Sequence, residues 1–178
     1  MIISALIYIV AVLGANYTAT WFIHFPVFGQ VAVGTFIFGL TFTQRDRLHA
    51  FGRRSVYGTI AVAAIANVLM STYLGVPFRI ILASFTAILI SEGVDTEIYQ
   101  HLLQKRWLFR VATSNAVSIP LDTMLFGVIA FLGVLSTTEI LSLFVGEIIV
   151  KYTIGIVSAL WRSREETPIS ETSDFRDI

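Results

Sequence analysis

Cysteine is absent from the 178 residues, which excludes disulfides, thiolate metal centres and a cysteine nucleophile. Charge is scarce, with 13% of residues Asp, Glu, Lys or Arg, about half the share of an ordinary soluble domain. The twelve cationic and twelve anionic side chains cancel, so no excess charge points to nucleic acid or to an acidic partner. His24, His49 and His101 are the only histidines, and no pair of them has metal-ligand spacing. No Gly-x-x-x-x-Gly-Lys-Ser/Thr stretch occurs, so a phosphate-cradling loop is missing. No nucleophile–base pair is evident either, and the expectation is a protein that is not an enzyme and holds no cofactor or metal.

What the chain has in excess is apolar sequence. Hydrophobic residues make up 56% of it, and its mean hydropathy is +0.79. Apolar runs of about 20 residues cross a bilayer as helices, and the pattern predicts an all-α membrane protein with six of them. They cover about 2–20, 27–42, 55–74, 78–103, 112–135 and 138–161, followed by a polar tail over 162–178 that lacks any hydrophobic period and reads as disordered. The first run has no basic segment before it and is read as a span rather than a signal peptide. A β-barrel would need alternation over about ten residues; these runs are continuously apolar for twice that length.

Basic residues give the orientation. Arg45, Arg47, Arg53, Arg54, Lys105, Arg106, Arg110, Arg162 and Arg164 fall in or beside the loops at one end of a six-span bundle, against Arg79 alone at the other. The positive-inside rule then puts both termini in the cytoplasm, with the chain multi-pass in the cytoplasmic membrane.

Within apolar sequence the polar residues stand out. Ser114, Ser118 and Asp122 recur at i, i+4 and i+8 with Asn115 beside the first, so they line one face of the fifth helix. Pro120 lies in the same helix and frees the carbonyl of Ala116, which at membrane depth needs protein or a wet cavity against it. A substrate cavity explains this stripe; hydrogen bonding between helices explains its Ser and Asn but not a carboxylate. In the fourth run Ser91 and Asp95 share a face at i, i+4, as do Glu97 and His101, and Glu92 is read as pointing away from Asp95. Glu97, His101 and the turn over 105–110 read as the cytoplasmic boundary. Glu147 and Lys151 are spaced for an intrahelical ion pair, which serves either the site or the bundle. Asn16, Gln30 and Asn67 read as packing hydrogen bonds. Ala11, Ala15 and Ala19 form a ladder of small residues that packs inside the bundle or docks a partner, a second copy or another transporter subunit.

The order of these motifs resembles the queuosine-precursor transporter family, also described as vitamin-uptake-transporter-like membrane proteins. The resemblance runs over roughly 43–151 and rests on Arg45-Asp46 with Phe51-Gly52-Arg53-Arg54, on Ser91-Glu92-Gly93-Val94-Asp95 with Ile98-Tyr99, on Trp107-Leu108-Phe109-Arg110 with Ser114, Ser118, Asp122-Thr123 and Phe126, and on Gly146-Glu147 with Val150-Lys151. Glu92 and Glu147 stand where that family commonly has Gln, His49 where it has Glu, Val111-Ala112 where it has two Asn, and Pro120 at a non-proline position. The resemblance implies a fold similar to the substrate-binding subunits of energy-coupling-factor transporters and import of a modified purine base, 7-cyano-7-deazaguanine or a related 7-deazaguanine. A guanine-like edge offers two donors to one carboxylate, so Asp122 or Glu92 would accept it. Ser118, Asn115 and Ser114 would bond the ring, and Phe126 or Tyr99 would stack on it. Ser91, Asp95, Glu147 and Lys151 complete the candidate site. The alternatives are a binding subunit of a multi-component vitamin or nucleobase transporter and a non-transporting scaffold.

The orientation is testable in a chain already free of cysteine. A membrane-impermeant thiol reagent should label Ser136→Cys on intact cells and Arg54→Cys only once the cytoplasmic face is opened; the reverse pattern would invert the topology.

Overall fold

The computed structural model describes residues 1–27 and 29–165. Among these, six helices follow one another, with one two-stranded hairpin after the first. Helix α1 is Ile2–Tyr17; strands β1 (Phe22–Phe25) and β2 (Gly29–Ala32) pair antiparallel; α2 is Val33–His49 and α3 Arg53–Tyr73. Helix α4 is one continuous run made of Phe78–Ala87, a π-helical turn Ile88–Glu92 and Gly93–His101. Helices α5 (Trp107–Phe131) and α6 (Thr137–Glu165) complete the bundle. The expected polar tail is helical as far as Glu165, and its remainder lies outside the described residues.

The largest departure from the sequence reading is the second element. A helix was expected over 27–42 because the run is apolar, but the chain enters the bundle as a hairpin. Gly29 takes φ +96°, a conformation that a continuing helix cannot hold, and Pro26 before it has no N–H to give. The hairpin seats on α6, where the Gln30 amide donates to Ser142 Oγ at 3.2 Å. Gly146 makes that approach possible, since a Cβ there would lie 2.6 Å from the Gln30 carbonyl oxygen. Helix α2 then starts at Val33 and continues to His49, through the stretch expected as a basic loop.

Ends of the helices sort into two sets. Met1 touches Ser55 and Arg53 pairs with Glu97 at 2.6 Å, so the N-terminus and the α2–α3 and α4–α5 connections lie together. At the opposite end Phe22 packs edge-on against Phe131. Arg79, the lone basic residue there, donates to the carbonyls of Ile129 (2.5 Å) and Leu132 at the close of α5.

Apolar side chains point outward and polar ones inward, the arrangement that a lipid surround selects. Val62, Ile65 and Leu69 of α3 are more than half exposed, while Asp95, Thr96, Ser114 and Asn67 are fully buried. Arg53–Tyr73, Trp107–Phe131 and Thr137–Trp161 are long and apolar enough to cross a membrane; Ile2–Tyr17 is apolar but shorter. Ala11, Ala15 and Ala19 are all buried within the chain. A Cβ on Gly34 would fall 2.2 Å from the Ala15 carbonyl oxygen, so at Ala15 this face packs closely against α2.

The carbonyl freed by Pro120 finds protein. Tyr152 of α6 donates its hydroxyl to Ala116 O at 3.0 Å. Tyr152→Phe should therefore cost about 1 kcal/mol, and less in a Pro120→Ala background, where the restored N–H reclaims the carbonyl. Thermal unfolding in detergent would check both; equal losses in the two backgrounds would refute the link.

Candidate functional site

Two antiparallel helices carry the same four-residue motif, Ser91-x-x-x-Asp95 on α4 and Ser118-x-x-x-Asp122 on α5. Residues four apart share a helix face, so in antiparallel register each serine meets the other helix's aspartate. Ser118 Oγ donates to Asp95 Oδ1 at 2.8 Å, and Ser91 Oγ to Asp122 Oδ1 at 3.2 Å while also bonding the Ala87 carbonyl. The π-helical turn Ile88–Glu92 carries Ser91 and Glu92 into the interior. Such turns insert one residue into an α-helix and recur at functional sites.

Each aspartate also meets a cation from another helix. Asp122 Oδ2 lies 2.8 Å from Lys151 Nζ, which holds Glu147 Oε2 at 3.0 Å and Thr123 Oγ1 at 2.9 Å. Asp95 Oδ2 lies 3.0 Å from Arg45 Nε. Arg45 further donates to Glu92 Oε1 at 3.0 Å and to Asn115 Oδ1 at 2.8 Å. Both cations stand over phenylalanine rings of α2, Arg45 5.5 Å from Phe42 and Lys151 5.9 Å from Phe38, within the range where a ring face attracts a cation.

These contacts correct two expectations. Glu92 does not point away from Asp95: three residues apart on a helix they share a face, and both meet Arg45. Nor does Arg45 belong to a basic loop. It is 1% exposed, the centre of a cluster that reading by loop charge could not find, because orientation arguments count an arginine without asking which way it turns. A buried polar α2 face was legible only in the spacing of Thr41, Gln44, Arg45 and Leu48, all of them buried.

A cavity lies beside the Lys151 cluster, toward the hairpin end. Its volume is about 60 Å³, smaller than an ordinary small-molecule site, so a ligand larger than a few waters would need its walls to move apart. Asp122, Glu147 and Lys151 line it, with Phe126, Phe38 and Asn16. Of the candidate residues these three face the cavity. Ser91, Glu92, Asp95, Asn115 and Ser118 form the layer behind it, and Ser114 bonds only the Val111 carbonyl of its own helix, at 3.3 Å. Phe126 is at the wall, whereas Tyr99 is stacked on His49 at 3.9 Å, away from it. Glu97 is half exposed and paired with Arg53, at the boundary as expected.

Asn16 is the second residue that sequence reasoning missed. Its amide Nδ2 bonds Ser71 Oγ at 2.5 Å, Ser71 bonds Asn67 Oδ1 at 3.3 Å, and Asn67 bonds Ser84 Oγ at 2.9 Å. This chain fixes Asn16 with its Oδ1 left buried and without a partner, on a residue that lines the cavity. Asn67 is the packing residue it was expected to be; Asn16 is that and an open acceptor as well.

The geometry defines a membrane protein with buried charged groups in the wall of a small internal cavity. Residues 69–162, more than half of the chain, match the family described as Putative vitamin uptake transporter. The chain belongs to that family, a class of membrane transporters for vitamin-like compounds. No curated protein and no solved structure matches it.

Arg45→Met should destabilise the protein by about 3–5 kcal/mol, the cost of leaving buried carboxylates unpaired. Ser118→Ala and Asp95→Asn should be non-additive by more than about 0.5 kcal/mol because they share one bond, and Ser114→Ala should be close to neutral. Unfolding of the purified variants in detergent measures all four; additive losses would break the brace.

Proposed function

We propose that this chain imports a 7-deazaguanine precursor of queuosine, such as 7-cyano-7-deazaguanine, working as a stand-alone carrier. All six helices would lie in the cytoplasmic membrane, with both termini inside the cell. The observation that carries the reading is the carboxylate–lysine–carboxylate group (Asp122, Lys151, Glu147) in the lining of one cavity, which Asn16 with its unpartnered Oδ1 also lines.

A deazaguanine fits those groups. Its N1–H and exocyclic NH₂ suit one carboxylate, Asp122 or Glu147, by two hydrogen bonds. Lys151, whose three N–H groups go to Asp122, Thr123 and Glu147, would hold both carboxylates toward the base, and Asn16, also in the lining, would accept the pyrrole N–H once the cavity opens to its Oδ1. Phe126 offers a ring face for stacking. Site carboxylates that bind a donor-rich neutral base also disfavour anions, since a second negative charge would face two carboxylates already sharing one lysine.

Uptake of labelled 7-cyano-7-deazaguanine by cells that cannot make it tests the reading, with and without this gene. Uptake should depend on the gene. A charge-assisted hydrogen bond is worth about 1.5–3 kcal/mol, so Asp122→Asn and Asp122→Ala should each weaken binding of that probe by about 10–150-fold. Asn16→Leu should lower affinity by about tenfold without preventing insertion. Unchanged affinity in both Asp122 variants would sink the assignment.

A further inference from the structure

The polar layer behind the cavity does not balance its charge. Among the described ion pairs, Arg45 meets Glu92 and Asp95, and Lys151 meets Asp122 and Glu147. Each group thus carries one negative charge in excess if all four carboxylates are ionised. Unbalanced charge at membrane depth is expensive. The excess at Lys151 faces the cavity, where a ligand's donors or water reach it. The excess at Arg45 does not, because neither Glu92 nor Asp95 lines the cavity and they are 2% and 0% exposed.

The surroundings of Glu92 deepen the imbalance. Tyr8 faces it from α1 and Arg45 from α2, where Asp46 acts on Arg45; Asp95 lies on its own helix, and Asp122 approaches from α5 with Lys151 and Glu147 of α6 beyond. The buried residues of α3 include no titratable group. Arg45 is thus the cation paired with both Glu92 and Asp95, while Asp122 is paired with Lys151.

The two carboxylates on Arg45 are not held equally. Asp95 accepts from Ser118 at 2.8 Å and lies 3.0 Å from Arg45 Nε. Glu92 has only the Arg45 Nη1 bond to its Oε1, and its Oε2 is buried with no hydrogen-bond partner. Independently, Tyr8 is 0% exposed, and its hydroxyl, whose nearest acidic group is Glu92, makes no hydrogen bond within 3.5 Å. A proton on Glu92 Oε2 would remove one excess charge and give that oxygen a donor facing the tyrosine oxygen.

We infer that Glu92 is a proton-binding site, occupied at neutral pH, with Tyr8 as its hydrogen-bond partner. The step is Glu–COO⁻ plus H⁺ from water giving Glu–COOH, with no other bond changed. Ser91, its sequence neighbour, bonds Asp122 of the cavity wall. The proton and the cavity ligand therefore act on adjacent residues of one helix, and any influence of one on the other is reciprocal. The inference goes beyond the proposed import and does not depend on which base is carried.

Infrared spectroscopy of the purified full chain in lipid nanodiscs, with no ligand added, decides it. The expected result is a carbonyl band from a protonated carboxyl at pH 7 that disappears in Glu92→Gln and remains in Asp122→Asn. Tyr8→Phe supplies a second reading should Glu92→Gln misfold: loss of the hydrogen bond should move the band to higher frequency. No band at pH 7, a band that survives Glu92→Gln, or one that Tyr8→Phe leaves in place would overturn the assignment. The readout needs no substrate, so a failure of 7-cyano-7-deazaguanine uptake would leave it standing.

Discussion

The crossed pair of serine–aspartate bonds between α4 and α5 is the interaction on which the interior depends. It works because both helices present Ser and Asp four residues apart and run antiparallel, so each helix completes the other's polar group. Each aspartate keeps an oxygen for a cation supplied from elsewhere, Arg45 of α2 or Lys151 of α6. Four helices are thereby joined through one polar layer. Outside the bundle the same helices meet their surroundings with apolar side chains, and lipid gives no hydrophobic force to bring helices together. Polar bonds and close backbone contacts carry that task instead, as at Gly34 against Ala15 and Gly146 against Gln30.

The same layer divides the interior by chemistry. On the hairpin side lies the cavity, lined by Asp122, Glu147, Lys151 and Asn16. On the other side Arg45 draws Glu92, Asp95 and Asn115 into contacts that no cavity ligand reaches directly. Buried ion pairs of this kind add little net stability, because desolvation offsets the Coulomb attraction, but they strongly penalise loss of one partner. Their value here is positional: two similar charge groups sit one behind the other, each aspartate held by a serine of the facing helix.

The family match covers 69–162, which takes in α4, α5 and α6 with Asp95, Asp122, Glu147 and Lys151. Arg45, Tyr8 and Asn16 lie before it. The first half of the chain therefore completes a site whose carboxylates all belong to the matched half. The hairpin belongs to the same first half, and its seat on α6 closes the bundle next to the cavity.

By itself the sequence determined the membrane class, the helical architecture and the polar stripe, because these depend on composition and on residues spaced along one helix. The i, i+4 pairs survive unchanged in space: Ser91 with Asp95, Ser118 with Asp122, and Glu147 with Lys151 at 3.0 Å. Hydropathy placed α3, α5 and α6 within a few residues but mistook the hairpin for a helix, since a glycine's backbone angle is invisible in an apolar run. Which residues face one another across helices was decided only by the tertiary structure. Arg45 looked like loop charge and is the most enclosed cation among the described residues. Asn16 looked like packing and has an acceptor to spare. The difference is physical: periodicity along a chain fixes which side chains share a face, whereas partners on other helices depend on crossing, rotation and the extra residue of a π-turn.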